Sequence, residues 1–209
     1  MFTPEFFAVT ALAILGPMSP GPDFLMVTRD TLKYSRKAGI YTTAGIVLGL
    51  IIHITYSLIG IGLIIAQSIV LFNIMKFIGA GYLIYIGYKS LQAKPHSLAD
   101  SQFVREDNQI GAFRAIRMGF LTNAFNPKVT VFFLSLFTQV INPATSLWIQ
   151  VFYGLEIMFF AFVWFTIVAT VLSQGMLKKR LVGIQHYVER VMGVALILLG
   201  IKVATSTSE

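Results

Sequence analysis

The sequence contains no cysteine. That excludes disulfides, thiolate metal sites and thiol-relay chemistry. Charge is scarce as well: Asp, Glu, Lys and Arg make up 12% of the 209 residues, against about 25% in an ordinary soluble domain. Apolar residues make up 56%, and the mean hydropathy is +0.76. The chain therefore reads as an all-α integral membrane protein in a lipid bilayer. It forms one domain over 1–209, because too few residues lie outside apolar runs for a second, soluble unit. No Walker-type phosphate loop is present, so direct drive by ATP is not expected. No Ser/His/Asp order and no zinc-ligand spacing stands out, and the three His are far apart. Neither an enzyme, nor a metal site, nor a cofactor is expected. No Lys or Arg precedes Arg29, so a basic leader is missing and Phe6 to Thr28 reads as a retained first span.

What is present is six apolar segments, each near the length of about 20 residues that crosses a bilayer. They run roughly 4–28, 39–65, 68–91, 117–141, 147–174 and 188–206. The net charge of +7 sits at their ends rather than on one face, which argues against nucleic acid as a partner. Arg29, Lys33, Arg36 and Lys37 follow segment 1. Lys89, Lys94, Arg105, Arg114 and Arg117 follow segment 3. Lys178, Lys179, Arg180 and Arg190 join segments 5 and 6. The other turns, at 66–68 and 142–146, carry no Lys or Arg. This asymmetry predicts that connections 1, 3 and 5 are cytoplasmic and that both termini lie outside the cytoplasm.

The polar stretch 92–116 divides the chain into halves of three segments, 1–91 and 117–209. An odd number of spans per half makes the halves opposite in orientation, the pattern of inverted-repeat transporters. Gly87-Tyr88-Lys89 matches Gly200-Ile201-Lys202, and Pro22 corresponds to Pro127. The two offsets differ, so this pairing requires an insertion.

Two breaks interrupt the segments: Met18-Ser19-Pro20-Gly21-Pro22-Asp23 in segment 1 and Asn126-Pro127-Lys128 in segment 4. Pro lacks an N–H and clashes with the preceding turn, so each break ends one half-helix and starts another. Pro22 and Asn126-Pro127 fit helix starts, which present free N–H groups and partial positive charge. At 1.5 Å per residue, Pro22 lies about 10 Å inside Arg29 and Asn126 about 13 Å inside Arg117, so both breaks fall near the midplane. Unpaired backbone and charge are costly in lipid and are expected only beside protein or a water-filled cavity. Pro20, Gly21, Pro22, Asp23, Asn126, Pro127 and Lys128 are the candidate substrate-binding residues. A zwitterion fits them, with its ammonium at Asp23 and its carboxylate at Lys128 and the free N–H groups. The plainer alternative is a pair of ordinary Pro kinks, with Lys128 paired to Asp23 or reaching the interface.

Met18 to Phe24, Gly79 to Gly87 (Gly-Ala-Gly-Tyr-Leu-Ile-Tyr-Ile-Gly), Gly119-Phe120-Leu121-Thr122-Asn123 and Asn126-Pro127-Lys128 together resemble the signatures of the LysE/RhtB-type amino-acid exporter family. The resemblance covers nearly the whole chain. Asp23 with Glu156 looks closest to the homoserine and threonine exporter branch. The first cytoplasmic loop, Tyr34 to Gly39, departs from the family pattern in having Ser35 before Arg36. The resemblance implies export of a small amino acid from a bacterial cytoplasm, across the inner membrane, driven by proton antiport. The alternatives are export of a metal cation and a membrane assembly or channel component that does not transport.

Glu156 in segment 5, Asp23 and His53 are the candidate proton-coupling groups, since intramembrane ionisable residues default to function. Thr170 lies within about 40° of Glu156 on a helical projection and would share a cavity with it. His53 shares a ridge with Gly45, Gly49 and Ser57; a core histidine bonded to a carbonyl is the plainer expectation. The ridge glycines imply close packing, either within the chain or between copies in a homo-oligomer. Tyr82, Tyr85 and Tyr88 read as an interfacial stripe, and Lys76 and Lys202 as snorkelling side chains.

Overall fold

The computed structural model describes residues 3–19, 21–67, 69–92, 110–142 and 144–173, with positions 187, 190, 191, 193–198, 200, 201, 204 and 205 beyond them. Pro20, Lys202 and most of the 92–116 linker lie outside the described residues, as does the side chain of Lys76. Every described element is an α-helix.

Segment 1 is two helices. Thr3 caps α1 (Pro4–Met18), its hydroxyl accepting from the Phe6 N–H at 3.2 Å, and Pro4 takes the first helical position. The chain is extended at Ser19 and again at Gly21, and Pro22 opens α2 (Pro22–Lys33). After α3 (Arg36–Gln67) and α4 (Ile69–Leu91), segment 4 is also divided, into α5 (Ala112–Ala124) and α6 (Pro127–Gln139). Here the Asn126 side chain accepts from the Lys128 N–H at 3.1 Å and Pro127 holds the first helical position. α7 (Leu147–Leu172) follows, and the described positions between 187 and 205 are helical and form α8. Among the described residues, two helices are long and apolar enough to cross a membrane: α3 over Arg36–Gly60, and α7. Their outward faces expose Leu48, Ile51 and Ile59, and Leu155 and Phe159. Hydrocarbon rather than water suits so much apolar surface.

The seam between α3 and α5 is built from missing side chains. A Cβ on Gly45 would sit 2.0 Å from the Ile116 carbonyl oxygen, and one on Gly119 would sit 2.1 Å from that of Thr42. Gly49 faces Asn123 one turn further along, so the two helices run parallel. The predicted glycine ridge is therefore used inside the chain, where small residues let backbones touch. α4 and α8 meet in the same way but antiparallel, Gly87 against Gly193 and Gly200 against Ala80. α1, α2, α3, α6 and α7 enclose the main core, in which Phe24, Phe133, Phe137, Tyr153 and Phe165 are buried.

One ion pair braces this frame. Asp30 on α2 is fully buried; its Oδ1 accepts from Arg29 Nε at 2.9 Å and Nη2 at 2.7 Å, and its Oδ2 accepts from the Thr42 hydroxyl of α3 at 2.7 Å. Asp30→Ala is expected to destabilise the protein by about 3 kcal/mol, the low end for breaking a buried pair. Arg29 is 33% exposed and can turn to water. Thermal unfolding of the purified protein in detergent checks this; an unchanged midpoint would remove the brace from the account of stability.

Candidate functional site

The two breaks face each other across the middle of the bundle. Lys128, at the start of α6, donates from Nζ to the Ser19 carbonyl at 3.0 Å and to the Ser19 hydroxyl. Its stem lies against Gly21, where an added Cβ would meet Lys128 Cδ and Nζ at 3.4 Å. On the other side Asn123, at the end of α5, donates from Nδ2 to Asp23 Oδ2 at 2.9 Å. The Asn126 side chain and the Lys128 charge also act on the Asp23 carboxyl. Each break thus holds the other, with the starts of α2 and α6 beside the contact. Gly21 gives α2 no side-chain cap, so the N–H groups of its first turn lack an intrahelical acceptor.

A cavity of about 80 Å³ opens between them. A single water needs about 10–15 Å³ on this scale, so the space suits a small molecule rather than a peptide. Ser19, Gly21, Asp23, Asn123, Asn126 and Lys128 form its polar pole. Among the described residues the rest of the wall is apolar apart from Tyr82. Among the described residues no donor reaches Asp23 Oδ1 or Asn123 Oδ1, both of which are buried, the latter on the side of Gly49 of α3. Buried acceptors are rarely left so, and an anionic one beside a cavity suits a guest that donates.

Of the sequence candidates, Gly21, Asp23, Asn126 and Lys128 line this cavity, and Pro22 and Pro127 set the helix starts beside it. Pro20 is outside the described residues. His53 stands behind the site rather than on its wall. Its Nε2 bonds the Asn123 carbonyl at 3.0 Å, its Nδ1 lies 2.8 Å from the Tyr56 hydroxyl, and its ring stacks on Phe133. A carbonyl only accepts, so Nε2 carries the proton. Glu156 is not on the wall either, and nor is Thr170. Glu156 Oε1 accepts from the Thr10 hydroxyl of α1 at 2.7 Å, while its Oε2 is buried without a partner. The Glu156 carboxylate turns to α1. Among the described residues no three His, Asp or Glu side chains come together as metal ligands would.

Sequence reasoning passed over Asn123 and Ser19 as site residues. Asn123 carried a signal, since it closes the Gly119–Asn123 motif. Ser19 binds through its backbone carbonyl as well as its hydroxyl, and no residue pattern discloses a carbonyl ligand.

Comparison with known proteins bears on what such a site serves. The model of the LysE type translocator family matches residues 14–207. The chain belongs to that family. Among its relatives, an uncharacterised membrane protein of Bacillus subtilis (strain 168) is 29% identical, over 97% of this chain and 99% of its own length. The threonine efflux proteins of Salmonella typhi and Escherichia coli (strain K12) are 32% and 29% identical, each over 83% of this chain and 84% of their own length. No solved structure matches. LysE type translocators are transporters, not enzymes, so this member of the family is a membrane transporter of a small molecule.

Proposed function

We propose that the chain is a secondary exporter of a small amino acid, in the size class of homoserine and threonine, coupled to proton antiport. In this reading it crosses the inner membrane of a bacterium six times, as two inverted three-helix halves with both termini outside the cytoplasm. One observation carries the assignment: Asp23, Asn123, Asn126 and Lys128 line one pole of a small, otherwise mostly apolar cavity, with the carboxylate and the ammonium both at that pole. An α-amino acid has the complementary ends. Its ammonium supplies charge-assisted donors to Asp23. Its carboxylate meets Lys128 and the first-turn N–H groups of α2, where helix geometry favours an anion. The name carried by the threonine efflux relatives agrees with a guest of this size.

Uptake of labelled threonine, homoserine, leucine and lysine into inverted membrane vesicles tests the proposal, with and without an imposed pH gradient. Saturable, gradient-dependent uptake of one or two of the four is expected. Absence of uptake from an oriented, well-folded preparation would turn attention to metal cations and to a non-transporting role.

Proton coupling is assigned to Glu156, a half-buried carboxylate with one oxygen unpartnered and the other on Thr10. Glu156→Gln keeps a similar shape and the Thr10 contact but carries no titrating proton. The variant is expected to exchange amino acid for amino acid while losing most of its response to the pH gradient. A full response would assign the proton to another group, with Asp23 and His53 next in line.

A further inference from the structure

The wall of the cavity away from its polar pole is built almost entirely of hydrocarbon. Leu12 of α1, Ile46 and Leu50 of α3, Phe132 of α6, and Ile157 and Phe165 of α7 converge on it from four helices. Among the described lining residues, the one polar side chain outside the pole is Tyr82, which interacts with Tyr85 and Lys89 further along α4. The donors and acceptors of the pole suit the two charged ends of an amino acid. That leaves the hydrocarbon wall for its side chain.

We infer that this transporter prefers small amino acids with an apolar, branched or unbranched aliphatic side chain over their hydroxylated counterparts of the same shape. The inference rests on the amino-acid reading above and narrows it. A hydroxyl carried against Leu12, Leu50 and Ile157 gives up its hydrogen bonds to water and gains none. Valine and threonine differ by a methyl in place of a hydroxyl, as do norvaline and homoserine, so each pair separates polarity from size. An apolar pocket rejects a hydroxylated isostere by up to about a hundredfold. A site built to bond the hydroxyl would instead reject the apolar isostere by about 10⁴-fold or more. The two kinds of wall therefore predict ratios of opposite sign.

The test is the rate of uptake of each of the four amino acids by the purified full-length protein in proteoliposomes, compared as kcat/KM. Valine over threonine and norvaline over homoserine, each by about 10- to 100-fold, is the expected result. Equal rates or a preference for the hydroxylated member of each pair would overturn the inference and leave amino-acid transport standing. Transport of none of the four, in a preparation that is monodisperse and oriented, would overturn the amino-acid reading itself. A second measurement ties the preference to the wall. Ile157→Thr places a hydroxyl there, and Ile157→Val, which has the shape of the threonine variant, controls for the lost volume. The threonine variant is expected to lower the valine-to-threonine ratio at least fivefold relative to Ile157→Val. A ratio equal to that of Ile157→Val in a folded Ile157→Thr protein would detach the preference from this cavity.

Discussion

Replacing Asp23 by Asn is expected to lower kcat/KM for transport by about a hundredfold or more while leaving the protein folded. Asp23 is 8% exposed, sits at the start of α2 and has one buried carboxylate oxygen that no described residue's donor reaches. A charge-assisted hydrogen bond contributes about 1.5–3 kcal/mol, and removing one partner of a buried charge pair costs about 3–5 kcal/mol because the other charge is left unpaired. At 1.36 kcal/mol per factor of ten, the second range is about two to four decades in rate. Asn retains the shape, and its carbonyl oxygen can still accept from Asn123 Nδ2, so the contact between the breaks survives. Initial rates in vesicles, set beside the thermal midpoint and membrane yield of the variant, check both parts. Near-normal rates would take the ammonium away from Asp23. Lys128→Ala is the companion at the opposite pole, and it should raise the half-saturating concentration because the guest's carboxylate loses its cation.

A larger effect, on folding rather than transport, is expected from single methyl groups on the α3–α5 seam. In Gly45→Ala or Gly119→Ala the new carbon would overlap a backbone oxygen of the neighbouring helix, at 2.0 or 2.1 Å. A flexible side chain could yield, but a carbonyl in a helix moves only with its helix. Ordinary overpacking costs about 1–3 kcal/mol, and a backbone clash lies above that range. Since folded proteins hold only about 5–15 kcal/mol in reserve, the Gly45→Ala/Gly119→Ala double variant should yield little folded protein. Gly60 and Gly81 provide the control, for among the described residues nothing lies within 4 Å of a Cβ built on either. Gly60→Ala and Gly81→Ala should leave yield and thermal midpoint as they are or raise them slightly. Size-exclusion profiles after detergent extraction separate the two groups. Monodisperse Gly45→Ala protein at normal yield would mean that the seam is looser than its geometry.

Much of this was legible in the residues because it follows from local chemistry. A proline cannot continue a helix and an asparagine before it can cap the next one, so the restart at Asn126-Pro127 could be read from the chain. The cap is there, with its 3.1 Å bond to the Lys128 N–H. The convergence of Asp23 and Lys128 on one cavity followed from equal depth and from the cost of charge in lipid. What the sequence withheld depends on rotation about helix axes. Helical projection placed Glu156 and Thr170 on one side of α7, but it could not say which neighbour that side meets. The neighbour is Thr10 of α1. Likewise His53 and Asn123 are 70 residues apart, and only the parallel crossing of α3 and α5 brings the ring to the Asn123 carbonyl. Asp30 was passed over because its partners, Arg29 and Thr42, have no distinguishing pattern in the chain.

The glycine seam also bears on how the molecule comes into being. Thr42, Gly45 and Gly49 find their counterparts in Ile116, Gly119 and Asn123 of α5, beyond the polar stretch that follows α4. α1 likewise leans on α7, and α4 on α6. A nascent chain released after its first ninety residues would carry half of each seam and none of it closed. The groove on α3 has to wait, unfilled, until α5 is synthesised. Pieces cut at the linker should therefore depend on co-expression to accumulate, each serving as the mould for the other.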